Sequence, residues 1–192
     1  MDTSPVEICV EIWTISLREE RGIILSAEEA ERAARFRFEE DRVRWTRAHS
    51  ALRQVLAEYA RQPEAELSFE IGAHGKPSLR EGRQIEFSLS HAGDWAMIAV
   101  SHGVPVGVDI ERARRGIDMG PLLQRLGELN IPESGDAKLT AWTRREARSK
   151  AQGGALFDAP AEDVYAISLE APEGYAASVA LVGFTPRVVY RR

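Results

Sequence analysis

The sequence is poor in cysteine, because Cys9 is the only one among 192 residues. A single cysteine excludes an intramolecular disulfide and any cysteine-rich zinc site. The sequence also lacks an apolar run long enough to span a membrane, and Asp2 and Glu7 precede its first hydrophobic stretch, unlike a signal peptide. We therefore expect a cytoplasmic protein that does not act at a membrane.

Positive charge is not in excess either. The formal net charge is −5, which gives no global electrostatic argument for a nucleic-acid partner. The hydrophobic fraction of 44% is ordinary for a globular protein, and the length suits one large domain or two small ones. Composition therefore bounds the class of protein, and the motifs must supply the function.

The most informative stretch is 104–111, which alternates with a period of two. The apolar set is Val104, Val106, Val108 and Ile110, and the opposite set is Pro105, Gly107, Asp109 and Glu111. The pattern predicts a half-buried strand whose two carboxylates point the same way, with Cα atoms roughly 6–7 Å apart. Such charges repel. Either a divalent cation binds between them, or both are solvated at a strand end.

Two helices are predicted before this strand. Ser26 and Glu29 have the spacing of a capping box, which starts a helix over 27–38. An apolar stripe at helical spacing predicts a second helix over 41–59.

Several basic side chains are placed to meet an anion. They are Arg44 at the start of the second helix, Lys76 in the glycine-containing turn 72–77, and His91 at a strand end. Arg32, on the first helix, is expected on a solvated face paired with neighbouring glutamates. A phosphate suits the arginines, since helix starts and guanidinium groups both bind it, and His91 could bind an anion or act as an acid or base. The alternatives are local ion pairs for the arginines and a surface turn without function for Lys76.

After the strand 104–111, here called the organising strand, a short helix is predicted over 122–129 and a long one over 138–152. Glu146 and Lys150 lie four residues apart on the long helix and share a face. They are either an ordinary surface ion pair or a functional pair, in which Glu146 is a third carboxylate for the cation and Lys150 contacts a phosphate or a leaving group.

The other strands alternate in the same way as the organising one. They are predicted over 6–16, 67–71, 85–89, 95–101, 164–169 and 175–182, with the tail 186–192 as a loose end or an edge strand. Strands 85–89, 95–101 and 104–111 are expected to form a three-stranded meander. Each half of the chain has a long helix followed by short strands, so we predict an α+β fold of two similar halves, 1–103 and 104–192, with the site at their junction.

Five short segments follow one another along most of the chain. They are Phe36 with Asp41-Arg42-Val43-Arg44, then Gly75-Lys76-Pro77, Phe87-Ser88-Leu89-Ser90-His91-Ala92-Gly93, Gly107-Val108-Asp109-Ile110-Glu111, and Trp142-Thr143-Arg144-Arg145-Glu146-Ala147-Arg148-Ser149-Lys150. In order and spacing they resemble the 4′-phosphopantetheinyl transferase family, specifically its long, pseudo-dimeric, surfactin-synthetase-activating type. Any one segment is a weak signal, whereas five in order are specific.

The resemblance implies a pseudo-duplicated fold and a transfer reaction. Coenzyme A would give its phosphopantetheine arm to a serine of an acyl or peptidyl carrier protein in fatty-acid, polyketide or nonribosomal peptide synthesis, releasing adenosine 3′,5′-bisphosphate. The first half would contribute to nucleotide binding, and the second would carry the metal carboxylates and the catalytic helix. The duplication favours a monomer.

The resemblance also assigns roles to residues. Asp109, Glu111 and Glu146 would hold Mg²⁺, and Lys150 would contact the pyrophosphate or help the leaving group. Catalysis would rest on Glu146, Lys150 and Asp109, and either Glu146 or a water held by the metal would remove the serine proton. The coenzyme A contacts would be Arg44, Lys76, Pro77, Ser90 and His91, with Arg32 joining them.

Four departures from the family pattern stand out. Arg145 replaces the lysine expected before Glu146, and Gly153-Gly154 are adjacent, with Ala155 where a second spaced glycine is expected. The segment 117–136 lacks the phenylalanines that usually border the carrier protein, and Glu29 stands where a basic residue is expected. These departures leave an alternative, a catalytically inactive member that binds coenzyme A or a carrier protein.

Overall fold

The described part of the chain forms two α+β bodies in a computed structural model. It comprises residues 7–81, 84–114, 116–128, 130–154, 158 and 161–191. The first body contains β1 (Glu7–Ser16), α1 (Ala27–Ala34), α2 (Glu39–Ala60), a 3₁₀ turn (Glu64–Glu66), β2 (Phe69–Ile71), β3 (Pro77–Leu79), β4 (Ile85–Ala92) and β5 (Trp95–His102). The second contains β6 (Val106–Arg112), α3 (Gly120–Arg125), α4 (Gly135–Gln152), β7 (Val164–Leu169) and β8 (Tyr175–Val182), and β9 (Thr185–Arg191) follows it.

The elements stack in layers around a shared core. The larger sheet has the strand order β4-β5-β1-β9 and the smaller one β6-β8-β7, while β2 and β3 form a separate hairpin. Apolar residues of α2 pack on one face of the larger sheet, and the opposite faces of the two sheets bury each other's valines and isoleucines. Ala147 and Ala151 of α4 pack on the smaller sheet. The predicted α+β architecture is confirmed.

The capping box predicted at the start of α1 is present. Ser26 Oγ accepts a hydrogen bond from the Glu29 amide at 3.2 Å, and Glu29 Oε2 accepts one from the Ser26 amide at 2.8 Å. The helix ends at Ala34, before the predicted residue 38, and α2 begins at Glu39 and runs to Ala60.

The prediction for the organising strand was right on one face and wrong on the other. Val106, Val108 and Ile110 are buried in the core between the sheets, as the alternation predicted. The opposite face is also covered, because α4 packs against it, and Asp109 is only 3% exposed. A half-buried strand was therefore the wrong expectation, and so was a solvated strand end at Asp109.

The predicted three-stranded meander is also wrong. Strand β5 pairs with β4 and β1, whereas β6 pairs with β8 in the other sheet. The edge strands β4 and β6 still lie side by side, and the Val108 amide of β6 donates to the side chain of Ser88 of β4 at 3.1 Å. This contact joins the two sheets beside segments 87–93 and 107–111, which the sequence analysis singled out.

The tail adopts the edge-strand alternative, because β9 pairs in parallel with β1. The closing strands β7 and β8 have the predicted bounds, and α4 begins three residues earlier than predicted, at Gly135 after the Ser134 cap. The predicted element ends at Val6, Leu129 and Arg192, together with the Ala155 departure, lie outside the described residues. The division at 103/104 stays a prediction. None of the helices in the described ranges has the length and apolarity needed to cross a bilayer.

Candidate active site at the junction of the two bodies

Gly107 allows helix α4, which carries Glu146 and Lys150, to lie close to strand β6. A Cβ atom at this position would lie 2.0 Å from the Ala147 carbonyl oxygen and 2.4 Å from the Ala151 amide nitrogen. Real Cβ atoms do not approach backbone so closely, so only glycine allows α4 to lie directly on β6. The contact places Glu146 and Lys150 over the two carboxylates of the strand.

Asp109 is the centre of a buried polar cluster. Its Oδ1 accepts hydrogen bonds from Ser90 Oγ at 2.9 Å and from Lys150 Nζ at 2.6 Å, and Lys150 Nζ also donates to Ser90 Oγ at 3.0 Å. The three side chains come from β4, β6 and α4. The structure therefore joins both bodies through residues that the sequence assigned to one site.

The other two carboxyl groups lie in the same electrostatic environment. Burial, and then the charge of Asp109, raise the pKa of Glu146 to about 7. Burial and Asp109 also raise the pKa of Glu111, while Trp142 donates a hydrogen bond to it. Burial is the main cause of both shifts, repulsion from the Asp109 carboxylate adds to it, and the Lys150 ammonium offsets only part of the effect.

The donor chemistry of this cluster fits a hard divalent cation. Asp109 Oδ2 and Glu146 Oε1 are buried and have no hydrogen-bond partner among the described residues. Buried carboxylate oxygens without a hydrogen-bond partner are groups that such a cation satisfies. As the side chains stand, no group of three or more His, Cys, Asp or Glu in the described ranges forms a ready metal site. The candidates are thus placed near one another without being in a closed ligand arrangement.

A cavity of about 820 Å³ opens beside the cluster. Of the predicted contacts, it is lined by Arg32, Lys76, Pro77, His91 and Lys150. Lys150 therefore links the cavity to Asp109. The His91 side chain lines the cavity. Burial, and then the nearby Lys150 ammonium, lower the pKa of His91, and this favours the neutral imidazole.

Two predicted contacts lie outside the described lining of the cavity. Ser90 is turned toward Asp109, as described above. Arg44 lies 3.4 Å from Glu40, which is the local ion pair that the sequence left as an alternative, and it also lies 3.5 Å from Asp94, which is distant in sequence.

Lys76 lines the cavity, but its ammonium group points into the seam between the bodies. Its Nζ donates to the Val106 carbonyl at 3.0 Å and to the Ala151 carbonyl at 3.4 Å. Burial lowers the pKa of Lys76. The side chain thus holds the first residue of β6 and the last turn of α4 together.

Sequence reasoning missed a cluster at the other end of the cavity. Arg53, only 2% exposed, donates to Glu29 Oε2 at 2.7 Å and to the carbonyls of Glu64 and Leu67 at 2.8 and 3.0 Å. His49 stacks on Trp45 with 3.8 Å between ring centroids, and burial lowers the pKa of His49 to about 3. Glu29 therefore caps α1 and neutralises Arg53. Its partner is 24 residues away, so no local pattern reveals the pair.

Comparisons with known proteins agree with this arrangement. The family model for the N-terminal region of 4′-phosphopantetheinyl transferases matches residues 13–103. The chain is 31% identical over 162 residues to the 4′-phosphopantetheinyl transferase HetI of Nostoc sp., covering 75% of this chain and 68% of HetI. It is 27% identical over 164 residues to a 4′-phosphopantetheinyl transferase of Bacillus subtilis, covering 79% of this chain and 73% of that protein. A shorter match, 28% over 90 residues, relates it to Sfp of the same species, covering 47% of this chain and 40% of Sfp.

The chain belongs to the 4′-phosphopantetheinyl transferase family. Its activity is that of a 4′-phosphopantetheinyl transferase, which uses coenzyme A and modifies a carrier protein. The resemblance drawn from the five sequence segments is therefore confirmed.

Proposed function

We propose that this transferase moves the phosphopantetheine arm of coenzyme A to a serine of an acyl or peptidyl carrier protein with the help of Mg²⁺. The observation that supports the metal is the convergence of Asp109, Glu111 and Glu146. Two of these side chains have a buried oxygen without a partner among the described residues. They adjoin the cavity through Lys150.

The proposed reaction exchanges one phosphorus–oxygen bond for another. The serine oxygen bonds to the phosphorus that carries the pantetheine arm, and the bond from that phosphorus to the oxygen shared with the second phosphate breaks. The electron pair of the broken bond stays with adenosine 3′,5′-bisphosphate. Mg²⁺ bound by Asp109, Glu111 and Glu146 would neutralise negative charge on the pyrophosphate oxygens.

The remaining roles belong to side chains of the chain itself. Lys150 Nζ, which donates to Asp109 Oδ1 at 2.6 Å, is within reach of the cavity and can turn its charge toward the leaving phosphate. Glu146 has a pKa of about 7, close to the value that suits a general base at neutral pH, so we favour it as the acceptor of the serine proton. A bound cation would lower that pKa and so keep the Glu146 carboxylate ionised.

Nucleotide binding is proposed for the cavity. Arg32 lies 5.6 Å from the Trp45 ring centroid, and it lines the cavity together with His91 and Pro77. These groups offer a guanidinium charge, a neutral imidazole and apolar surface to the nucleotide of coenzyme A. Lys76, Ser90 and Arg44 are proposed to contribute by small movements of side chains that now bind Val106, Asp109 and Asp94.

Intact-mass spectrometry of an apo carrier protein tests the proposal. The carrier is incubated with this protein, coenzyme A and Mg²⁺, and a parallel sample contains a chelator. We expect a gain of one phosphopantetheine that disappears with the chelator. A gain that survives the chelator contradicts the metal assignment. The absence of gain across a panel of acyl and peptidyl carriers, with coenzyme A still bound, would favour a non-catalytic member of the family.

We also propose that the protein acts as a monomer, since one chain supplies both sides of the junction through Ser90, Asp109 and Lys150. Sedimentation of the free protein checks this: a dimer at the assay concentration contradicts it.

A further inference from the structure

The residue before Glu146 on α4 carries a buried charge. Arg145 is only 4% exposed, and its Nη1 donates to Glu128 Oε1 at 2.8 Å. Its Nη2 donates to the Asp158 carbonyl at 3.3 Å. A guanidinium held this far from water requires a partner, because removal of one member of a buried pair leaves an unpaired charge.

The pair is one of several contacts that hold the turn of α4 around Glu146. Thr143 forms a hydrogen bond with Ser178 of β8 at 2.9 Å, and Ala147 lies against Gly107 of β6. Those two contacts hold the face of α4 that packs on strands β6 and β8. The Arg145–Glu128 pair ties the same turn to the chain that follows α3. Together these contacts resist both withdrawal and rotation of the helix.

We propose that Glu128 is a positioning residue for this transferase: through Arg145 it sets the orientation of α4 and so places the Glu146 carboxyl group. The inference rests on the proposed role of Glu146. Glu128 itself touches neither the cavity lining nor the three carboxylates among the described contacts. Its effect would thus be on placement of the reacting groups, with little effect on coenzyme A binding.

A second ion pair, between the chain that precedes α3 and the same helix α4, provides a matched control. Lys138 Nζ lies 2.9 Å from Asp118 Oδ1 in the first turn of α4, two turns away from Glu146. Asp118 is 58% exposed, against 35% for Glu128. Loss of the Asp118 charge loosens the segment without disturbing the turn that carries Glu146.

The experiment compares Glu128→Gln, Arg145→Gln, the double variant and Asp118→Asn. Wild-type transfer is measured first, so that failure of the proposed function is seen separately. Since misplacement of a catalytic group by about 1 Å can cost on the order of 100-fold, we expect Glu128→Gln to lower kcat about 10-fold or more. We expect the KM for coenzyme A to stay within about twofold, because positioning affects the transition state more than ground-state binding. The double variant should lose no more than the worse single variant, because both substitutions break one interaction.

A readout that needs no turnover accompanies the kinetics. Mn²⁺ binding is measured by the rise in melting temperature that the ion causes. The affinity for Mn²⁺ should be weaker in Glu128→Gln and unchanged in Asp118→Asn. The inference is overturned if Glu128→Gln keeps the wild-type kcat and Mn²⁺ affinity. It is also overturned if Asp118→Asn loses kcat as much as Glu128→Gln does, because both then act through stability of the segment. Should Arg145→Gln fail to fold, Glu128→Gln and Asp118→Asn still decide the question.

Discussion

Substitution of Gly107 by alanine tests the contact on which the site geometry depends. The added Cβ would lie 2.0 Å from the Ala147 carbonyl oxygen, whereas ordinary contact begins at 3.4 Å. Both neighbouring atoms are backbone, so no side chain can turn away to make room. Helix α4 must therefore withdraw from β6 by about 1.4 Å, the difference between these two distances.

The withdrawal would affect stability and activity by different amounts. Overpacking of a well-packed contact costs about 1–3 kcal/mol, and in a chain of this size each kcal/mol lowers the melting temperature by about 2–4 °C. The distance from Lys150 Nζ to Asp109 Oδ1, now 2.6 Å, would lengthen toward the limit of an ion pair. We expect kcat to fall on the order of 100-fold, because a 1 Å error in placement has that effect.

The assay combines carrier-protein mass spectrometry with thermal melting, and Gly135→Ala is the matched control. Gly135 begins the same helix, and a Cβ there would meet nothing within 4 Å. That variant should keep wild-type activity and melt at the same temperature or slightly above it, since alanine restricts the unfolded chain. A Gly107→Ala protein with wild-type kcat and melting temperature would refute the argument that close packing of α4 places Glu146 and Lys150.

Three further predictions concern single side chains. Asp109→Asn should lower the transfer rate at least 100-fold, which is the scale of losing one preorganised electrostatic group. A near-normal transfer rate, measured by mass spectrometry of the carrier protein, would contradict the role of Asp109. Glu146→Gln, melted without divalent cations, should be more stable than the wild type at pH 8, and the difference should be much smaller at pH 5. The native pKa of about 7 exceeds the ordinary 4.5, so the wild type loses stability as pH rises through this interval. Equal shifts at both pH values would argue against that pKa. Lys76→Met should weaken coenzyme A binding in calorimetry and lower the melting temperature, because two carbonyls lose their donor; an unchanged binding constant would remove Lys76 from the binding site.

The alternation of 104–111 predicted one face of β6 correctly, because a period of two depends only on the strand itself. It did not predict what covers the second face. Within that stretch, Gly107 is the residue whose identity reflects the packing of α4. Its importance cannot be recognised without knowing that a helix some forty residues later lies against it. The meander failed for a similar reason: neighbouring strands in sequence often pair, but β6 pairs with β8, whose Ala177, Val179 and Leu181 belong to the same hydrophobic core.

The site residues also fall into those that local patterns predict and those that depend on distant parts of the chain. Periodicity placed Asp109 and Glu111 on one face of a strand, and Glu146 and Lys150 on one face of a helix. The resemblance to the family was needed to assign the two faces to one site. The sequence could not show that the Lys76 ammonium would bind main-chain carbonyls. It also could not show that Glu29 would neutralise Arg53. Such pairs form across long stretches of chain and leave no local pattern.

The return of β9 to the first sheet affects how the protein could be divided. Strand β1 has β5 on one side and β9 on the other, with Glu7 beside Thr185 and Trp13 beside Arg191. A fragment that ends near residue 103 would leave one edge of β1 open, with unpaired amide and carbonyl groups that invite association with other chains. Co-expression of the two halves as separate polypeptides should therefore rescue solubility only when the second fragment includes residues 185–191.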